Sequence, residues 1–263
     1  MSQTLTGLPI SVTFGQPQAT GGVLPLVSAC SPPSGAAFSI GTTTVLCTVT
    51  DALKESATCR FTVRVLGPPR LSATRFLAFG DSITAGFTGD TYPGRLQGKL
   101  AARYQTQATS VANDGLAGEY ASPGGQQRLP SALDAHRPAV LLLLEGSNDL
   151  NQGAGGASRA LDALTDMVRL AKGRGIVVLL ATIPPQRAGG PRNFTAPQVP
   201  GFNDNIRALA QREGATLVDI YAAMVGDPSL IGPDDLHPTS QGHEVMAQTF
   251  FTVIQRTLEL PPE

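Results

Sequence analysis

AVLLLLEGSND, residues 139–149, decides how this chain folds. Six apolar residues in succession give way to a glutamate, a glycine and three polar residues. The apolar run has strand length and does not alternate. A strand with one wet face alternates apolar and polar side chains, whereas a strand covered on both faces, as in a parallel sheet, does not. IVVLLA at 176–181 repeats the pattern, and further strand-length runs lie at 75–79, 110–112 and 216–220. Between them fall helical stretches near 92–104, 157–172 and 203–213. Leu161, Leu164, Val168 and Ala171 share one helical stripe, with Gly173 placed to end it. A last helix starts near Thr239 and turns Met246, Phe250 and Val253 inward. Alternating strands and helices predict a three-layer α/β domain with a parallel sheet and right-handed crossovers.

The first 67 residues follow another period. Val45, Cys47 and Val49 alternate with Leu46, Thr48 and Thr50; after a turn at 51–56, Cys59, Phe61, Val63 and Val65 alternate with Arg60, Thr62 and Arg64. Period two on both sides of a turn predicts a hairpin with one buried face. Short runs at 10–14 and 23–27, bounded by Gly and Pro, extend this to a small all-β sandwich. Gly67-Pro68-Pro69 breaks the ladder, which divides the chain into 1–67 and 68–263. The three cysteines, Cys30, Cys47 and Cys59, all lie in the first part. One disulfide and one free thiol, in an oxidising compartment, is the simplest reading, with the pairing open; three reduced thiols is the alternative.

Bulk properties remove several function classes. A hydrophobic content of 41% is enough to build a packed core, and a net charge of −1 without a Lys/Arg-rich run argues against nucleic acid. No segment has the ~18 apolar residues of a membrane span. MSQTLTGLPISVTF shows no basic start followed by an apolar run, so no signal peptide is read there. No Cys/His cluster suggests a metal site.

The polar motifs gather where the predicted strands end: Gly80-Asp81-Ser82, then NDGLAG at 113–118, GSND at 146–149 and DDLHP at 234–238. Each alone reads as a turn or helix cap. Together they occupy the carboxyl rim of one sheet, where open α/β folds bind ligands. A serine hydroxyl attacks only when a base takes its proton. His136 precedes a strand at its amino end, and His243 falls inside the last helix and reads as a surface residue. His237 is on the correct rim, and Asp234, three residues earlier, can hold its imidazole. A developing oxyanion needs donors, available from the N–H of Ser82, the N–H of Gly118 and the side-chain amide of Asn148. Ser147 sits in no nucleophile motif. Thr84 fills the last place of what would be G-x-S-x-G, which argues against an α/β-hydrolase elbow.

On these blocks, residues 72–258 resemble the SGNH hydrolases, the GDSL lipases and esterases. The resemblance implies a flavodoxin-like sheet and a triad of Ser82, Asp234 and His237, with Ser82, Gly118 and Asn148 as the oxyanion hole. Asp81 is similar to the family's supporting aspartate. Asp149 orients Asn148 or caps a helix. Asp235 stands where relatives often have a smaller residue, so either aspartate is a candidate partner of His237. The run CSPPSGAAFSIGTTTVLCTVTDALKESATCRFTVRV at 30–65 makes residues 8–66 resemble a hyalin-repeat (HYR) immunoglobulin-like module. Such modules are mainly extracellular, which implies a secreted or periplasmic protein. The N-terminal part, whose aromatics are Phe14, Phe38 and Phe61 alone, reads as a spacer or docking domain.

The expected activity is hydrolysis of carboxylic esters without cofactor or metal. An acyltransferase using the same acyl-enzyme is the alternative. A non-enzymatic binding protein would have a broken constellation, and every position here is filled. Members of the family act on acetylated sugars, short-chain esters, thioesters and lysophospholipids. No long apolar lid is present, so short acyl or acetyl esters, carbohydrate esters included, are favoured. The Pro/Gly-rich segment 184–202 either shapes the pocket or is a solvent loop.

Overall fold

The structure is a computed structural model that describes residues 2–86 and 89–262. Its contacts divide into two compact units, one built mainly from residues 1–70 and one from 71–102 and 108–259.

The first unit is all-β. Strands β1 (Ser2–Gln3), β6 (Ser56–Leu66), β5 (Gly41–Thr50) and β3 (Val27–Ser31) form one sheet in that order, and β2 (Ile10–Ser11) pairs with β4 (Ala37–Phe38). In the predicted β5–β6 hairpin, Val45 faces Phe61 and Cys47 faces Cys59. Phe38, Val45, Cys47, Val63 and Val65 form the core, with Phe14 packed edge-on against Phe61. Cys30 and Cys47, register partners on β3 and β5, form the disulfide; Cys59 is free and exposed.

The second unit is the three-layer α/β domain. Strands β7 (Arg75–Gly80), β8 (Ser110–Gly115), β9 (Val140–Leu144), β10 (Val177–Ala181) and β11 (Thr216–Val218) are parallel and lie in the order β11-β10-β9-β7-β8. Within the domain this is the flavodoxin-like order 2-1-3-4-5. Every residue of β9 is buried, as its unbroken apolar run requires. Helices α3 (Gln126–His136), α4 (Ala154–Gly173) and α5 (Val199–Glu213) cover one face through Leu129, Leu164, Val168 and Ile206. Helices α2 (Tyr92–Arg103) and α7 (Ser240–Leu258) share an interface in which the Tyr92 and Phe250 rings stack at 5.1 Å. Short helices α1 (Ser82–Ala85) and α6 (Ile220–Met224) follow β7 and β11 directly. Among the described residues, no helix is long and apolar enough to cross a membrane.

The elements differ from the sequence reading in several places. β8 continues to Gly115, carrying Asn113 and Asp114 into the ladder opposite Ala78 and Phe79. β11 stops at Val218, because the Asp219 side chain caps α6 by accepting from the Ala222 N–H. α3 has no counterpart among the predicted helices.

Leu141 is fully buried in β9 and belongs to the large core on the α3–α5 side. Leu141→Ala is expected to cost about 2–5 kcal/mol of stability. Denaturant unfolding monitored by far-UV circular dichroism checks this, and a loss under about 1 kcal/mol would show that the core collapses around the missing methyls.

Candidate active site

Chain reversal places the site. After β7 the chain crosses to β8 on one side, and after β9 it crosses to β10 on the other, so a crevice opens at the carboxyl ends of β7 and β9. Ser82 follows β7, and Asn148 follows β9. Asp81 turns the chain: its Oδ1 accepts the Ile83 N–H at 2.9 Å and caps α1. Ser82 is the first residue of that helix, so its N–H has no acceptor within the helix. Glycine at 115 is required here, since a Cβ would lie 2.1 Å from the Ala85 nitrogen.

His237 arrives from the other end of the domain's sequence. His237 Nε2 lies 2.8 Å from Ser82 Oγ. Its Nδ1 bonds Asp234 Oδ2, while Asp234 Oδ1 accepts the backbone N–H groups of His237 at 3.0 Å and Leu236 at 3.2 Å. One carboxylate thus folds the turn and holds the ring. Partial burial works to raise the Asp234 carboxyl, and the hydrogen bonds from His237 and Leu236 overcome it, so the group sits below its ordinary value. The structure separates the two candidate aspartates: Asp234 meets the imidazole, and Asp235 pairs with Arg187. Asp235 takes a left-handed backbone, φ 64°, which costs an L-residue about 1–2 kcal/mol.

Gly118 and Asn148 are joined through the residue between them in space, Glu119. Gly118 has φ +78°, the left-handed region that favours glycine. Asn148 Nδ2 donates to the Glu119 carbonyl at 2.8 Å, which fixes the amide and leaves its second N–H for another acceptor. The Leu116 N–H donates to the Gly80 carbonyl at 2.8 Å, tying the same loop to the end of β7. The Asp149 carboxylate accepts the N–H groups of Ala121 at 2.8 Å and Ser122 at 3.3 Å, the first residues of the helical turn Ala121–Gly125, and so fastens the loop after β8 to the loop after β9.

His243 departs from expectation: it is 7% exposed, not a surface residue. It lies three residues before Met246 and seven before Phe250, on the inward stripe of α7. Burial drives its pKa down to about 4, so it stays neutral near neutral pH. With Asp90, His237 and Ser240 it lines a cavity of about 450 Å³ beside Ser82.

Behind the site lies a set of carboxyl groups that the sequence reading did not identify beyond Asp81 and Asp149. Glu145 is fully buried at the end of β9, beside Glu119. Arg128 of α3 holds Glu119 at 2.6 and 2.9 Å and Asp114 at 2.8 Å, with its guanidinium 4.0 Å from the Phe79 ring centre. Burial, then the charges of Asp81 and Glu119, push Glu145 well above the ordinary carboxyl range. Burial chiefly, with help from Asp149 and Glu119, raises Asp81 to about 7. The one signal in the sequence was a glutamate directly after an all-apolar strand. Among the described residues, no cluster of three His, Cys, Asp or Glu could hold a metal ion.

A profile of the GDSL-like Lipase/Acylhydrolase family matches residues 78–245, most of the chain and all of the motifs above. This chain belongs to that family. The GDSL-type domain is 32% identical over 181 residues to Esterase TesA of Pseudomonas aeruginosa, covering 66% of this chain and 84% of that one. It is 29% identical over 194 residues to GDSL lipase Rv0518 of Mycobacterium tuberculosis, covering 68% and 80%. Among solved structures it superposes on Axe2, an acetylxylan esterase from Geobacillus stearothermophilus, with a TM-score of 0.59 at 21% identity, over 70% of this chain and 95% of the other. The GDSL protein is a carboxylic ester hydrolase. Its N-terminal unit matches the HYR domain over residues 5–65.

The buried carboxyls give a pH prediction. Raised values mean that the folded protein holds protons that the unfolded chain has released. Their contribution to stability is therefore full below about pH 4, the ordinary carboxyl value, and is lost as pH climbs, for Asp81 through about 7. Glu145→Gln keeps the neutral shape and removes the titration. Its thermal midpoint is expected to match wild type near pH 4 and exceed it at pH 8. Parallel midpoints for both proteins across that range would mean that Glu145 is ionised in the native fold.

Proposed function

We propose that this esterase acts through an acyl-enzyme on Ser82, with His237 as general base and then acid, and Asp234 holding the imidazole. The observation that carries this is the unbroken hydrogen-bonded chain from Ser82 Oγ through His237 to Asp234. His237 takes the Ser82 proton as Oγ attacks the ester carbonyl. Asp234 fixes the tautomer and stabilises the imidazolium. The N–H groups of Ser82 and Gly118 and the free amide N–H of Asn148 receive the oxyanion, with Asp81 and Asp149 holding the loops that carry them. His237 then protonates the departing alcohol. Water, activated by the same base, releases the acid.

The alcohol must leave within reach of His237, so the cavity bounded by Ser82 and His237 is its side of the site. The wall there carries the Asp90 carboxylate, held down to about 2 by hydrogen bonds from Arg95 and Ser240, and the neutral His243. A fixed anion and a neutral imidazole suit an uncharged, hydroxyl-bearing alcohol. We therefore favour short acyl or acetyl esters of such alcohols, carbohydrates included. The acetylxylan esterase fold neighbour is in keeping with this. A HYR-type module with a disulfide supports a secreted or periplasmic location.

A chain-length series of aryl esters, then acetylated sugars, tests the proposal. Ser82→Ala should lose at least about 10³-fold in kcat while unfolding at the wild-type temperature. Activity should fall as the acyl chain lengthens, and esters of anionic alcohols should be poorer than those of neutral ones. Turnover by Ser82→Ala near the wild-type rate would remove the nucleophile from its role.

A further inference from the structure

We infer that Arg187 is a positioning residue for the histidine base, acting through the turn that carries Asp234 and His237; the inference rests on the Ser82–His237 reading of the site. The turn at 232–235 is closed by the Asp235 N–H donating to the Gly232 carbonyl at 3.1 Å, and the Gly232 N–H donates to the His237 carbonyl at 2.7 Å. Arg187 binds both ends of it. Its Nε donates to Asp235 Oδ1 at 2.8 Å and its Nη2 donates to the Gly232 carbonyl, while its backbone N–H donates to the Asp235 carbonyl at 3.1 Å.

Three features make this more than a surface ion pair. The guanidinium fork engages a carboxylate and a carbonyl at once, which fixes direction as well as distance. Asp235 is left-handed, a conformation that persists in a non-glycine residue when its surroundings over-determine it. Gly190 packs against the far side of the same carboxylate, where a Cβ would lie 2.1 Å from Asp235 Oδ2. The Asp235 side chain is thereby gripped from two sides by the segment after β10, while Asp234, its neighbour, is free to face the imidazole. Other contacts of that segment reach the other wall of the crevice: Arg192 Nη1 donates to Asn151 Oδ1 at 3.4 Å, and Gln198 Nε2 to the Leu150 carbonyl at 3.4 Å. Segment 184–202, read from sequence as a pocket element or a solvent loop, is a strap between the base turn and the Asn148 turn.

The consequence is kinetic. Without Arg187 the turn keeps its own hydrogen bonds but loses the brace on Asp235, and His237 spends less time aligned on Ser82. Misplacement of a reacting group by about 1 Å can cost on the order of 10²-fold in rate. Binding of the substrate does not depend on the guanidinium, so KM should hold.

The test uses the full chain and 4-nitrophenyl acetate. Arg187→Ala should lower kcat about 10–100-fold with KM within about twofold of wild type. Arg187→Lys, which restores the charge but not the fork, should recover part of the loss, and guanidinium chloride at about 20 mM should raise kcat of Arg187→Ala but not of wild type. Arg187→Ala combined with Asp235→Ala should lose little beyond the worse single variant, since the two act as one unit. Ser82→Ala runs alongside. If Ser82→Ala is inactive while Arg187→Ala retains wild-type kcat, Arg187 has no positioning role and the site reading stands. If Ser82→Ala remains active, the site reading itself falls. Should Arg187→Ala fail to fold, a wild-type kcat in Arg187→Lys with no response to guanidinium in either protein would overturn the inference.

Discussion

A single hydrogen bond, 2.8 Å from Ser82 Oγ to His237 Nε2, joins residues 155 positions apart. A proton moves between such groups only if both are held to a few tenths of an ångström, and neither loop can do that alone. The parallel sheet supplies the reference frame. β7, flanked by β8 and β9, fixes where α1 begins and so where Ser82 stands. The last helix α7 fixes where the turn before it ends, and its inward stripe through His243, Met246 and Phe250 sets its rotation. Everything nearer the reacting atoms is a brace between these rigid parts.

Much of this was legible in the sequence, for reasons particular to each element. Burial on both faces writes itself as an unbroken apolar run, so β9 and β10 were plain from AVLLLL and IVVLLA. Period two marked the β5–β6 hairpin to within a residue of its turn. That Ser82, His237 and Asp234 meet was legible because the chemistry proposed for them restricts such groups to few residue types at strand ends. α3 was not, because Pro130 interrupts it and its buried side is only Leu129, Ala132 and Leu133. His243 was misread because a polar residue type was given more weight than its position on an apolar stripe. The partners of Asp149, the N–H groups of Ala121 and Ser122, were not legible because they belong to another loop; no local pattern encodes a contact 28 residues away.

The carboxyls behind Ser82 show how the loop that carries Gly118 is held at some expense. Buried acids weaken a fold at neutral pH, yet Glu145, Asp81 and Asp149 gather with Glu119 of the 115–122 segment. Arg128 answers one charge directly, and proton retention answers Glu145. The loop that carries Gly118 is thereby fixed by directional contacts where an apolar filling would let it slide. Exchanging stability for position is usual where directional contacts must fix the geometry of donors.

The same division of labour separates the two units. All of the proposed catalytic side chains, from Asp81 to His237, come from the α/β unit, whose sheet gives it a large core of its own. Among the described residues of the N-terminal unit five hydrophobic side chains are buried, a small core, and Cys30–Cys47 reinforces it by linking strands that are already neighbours in register. Its Phe14, Phe38 and Phe61 are committed to its own interior.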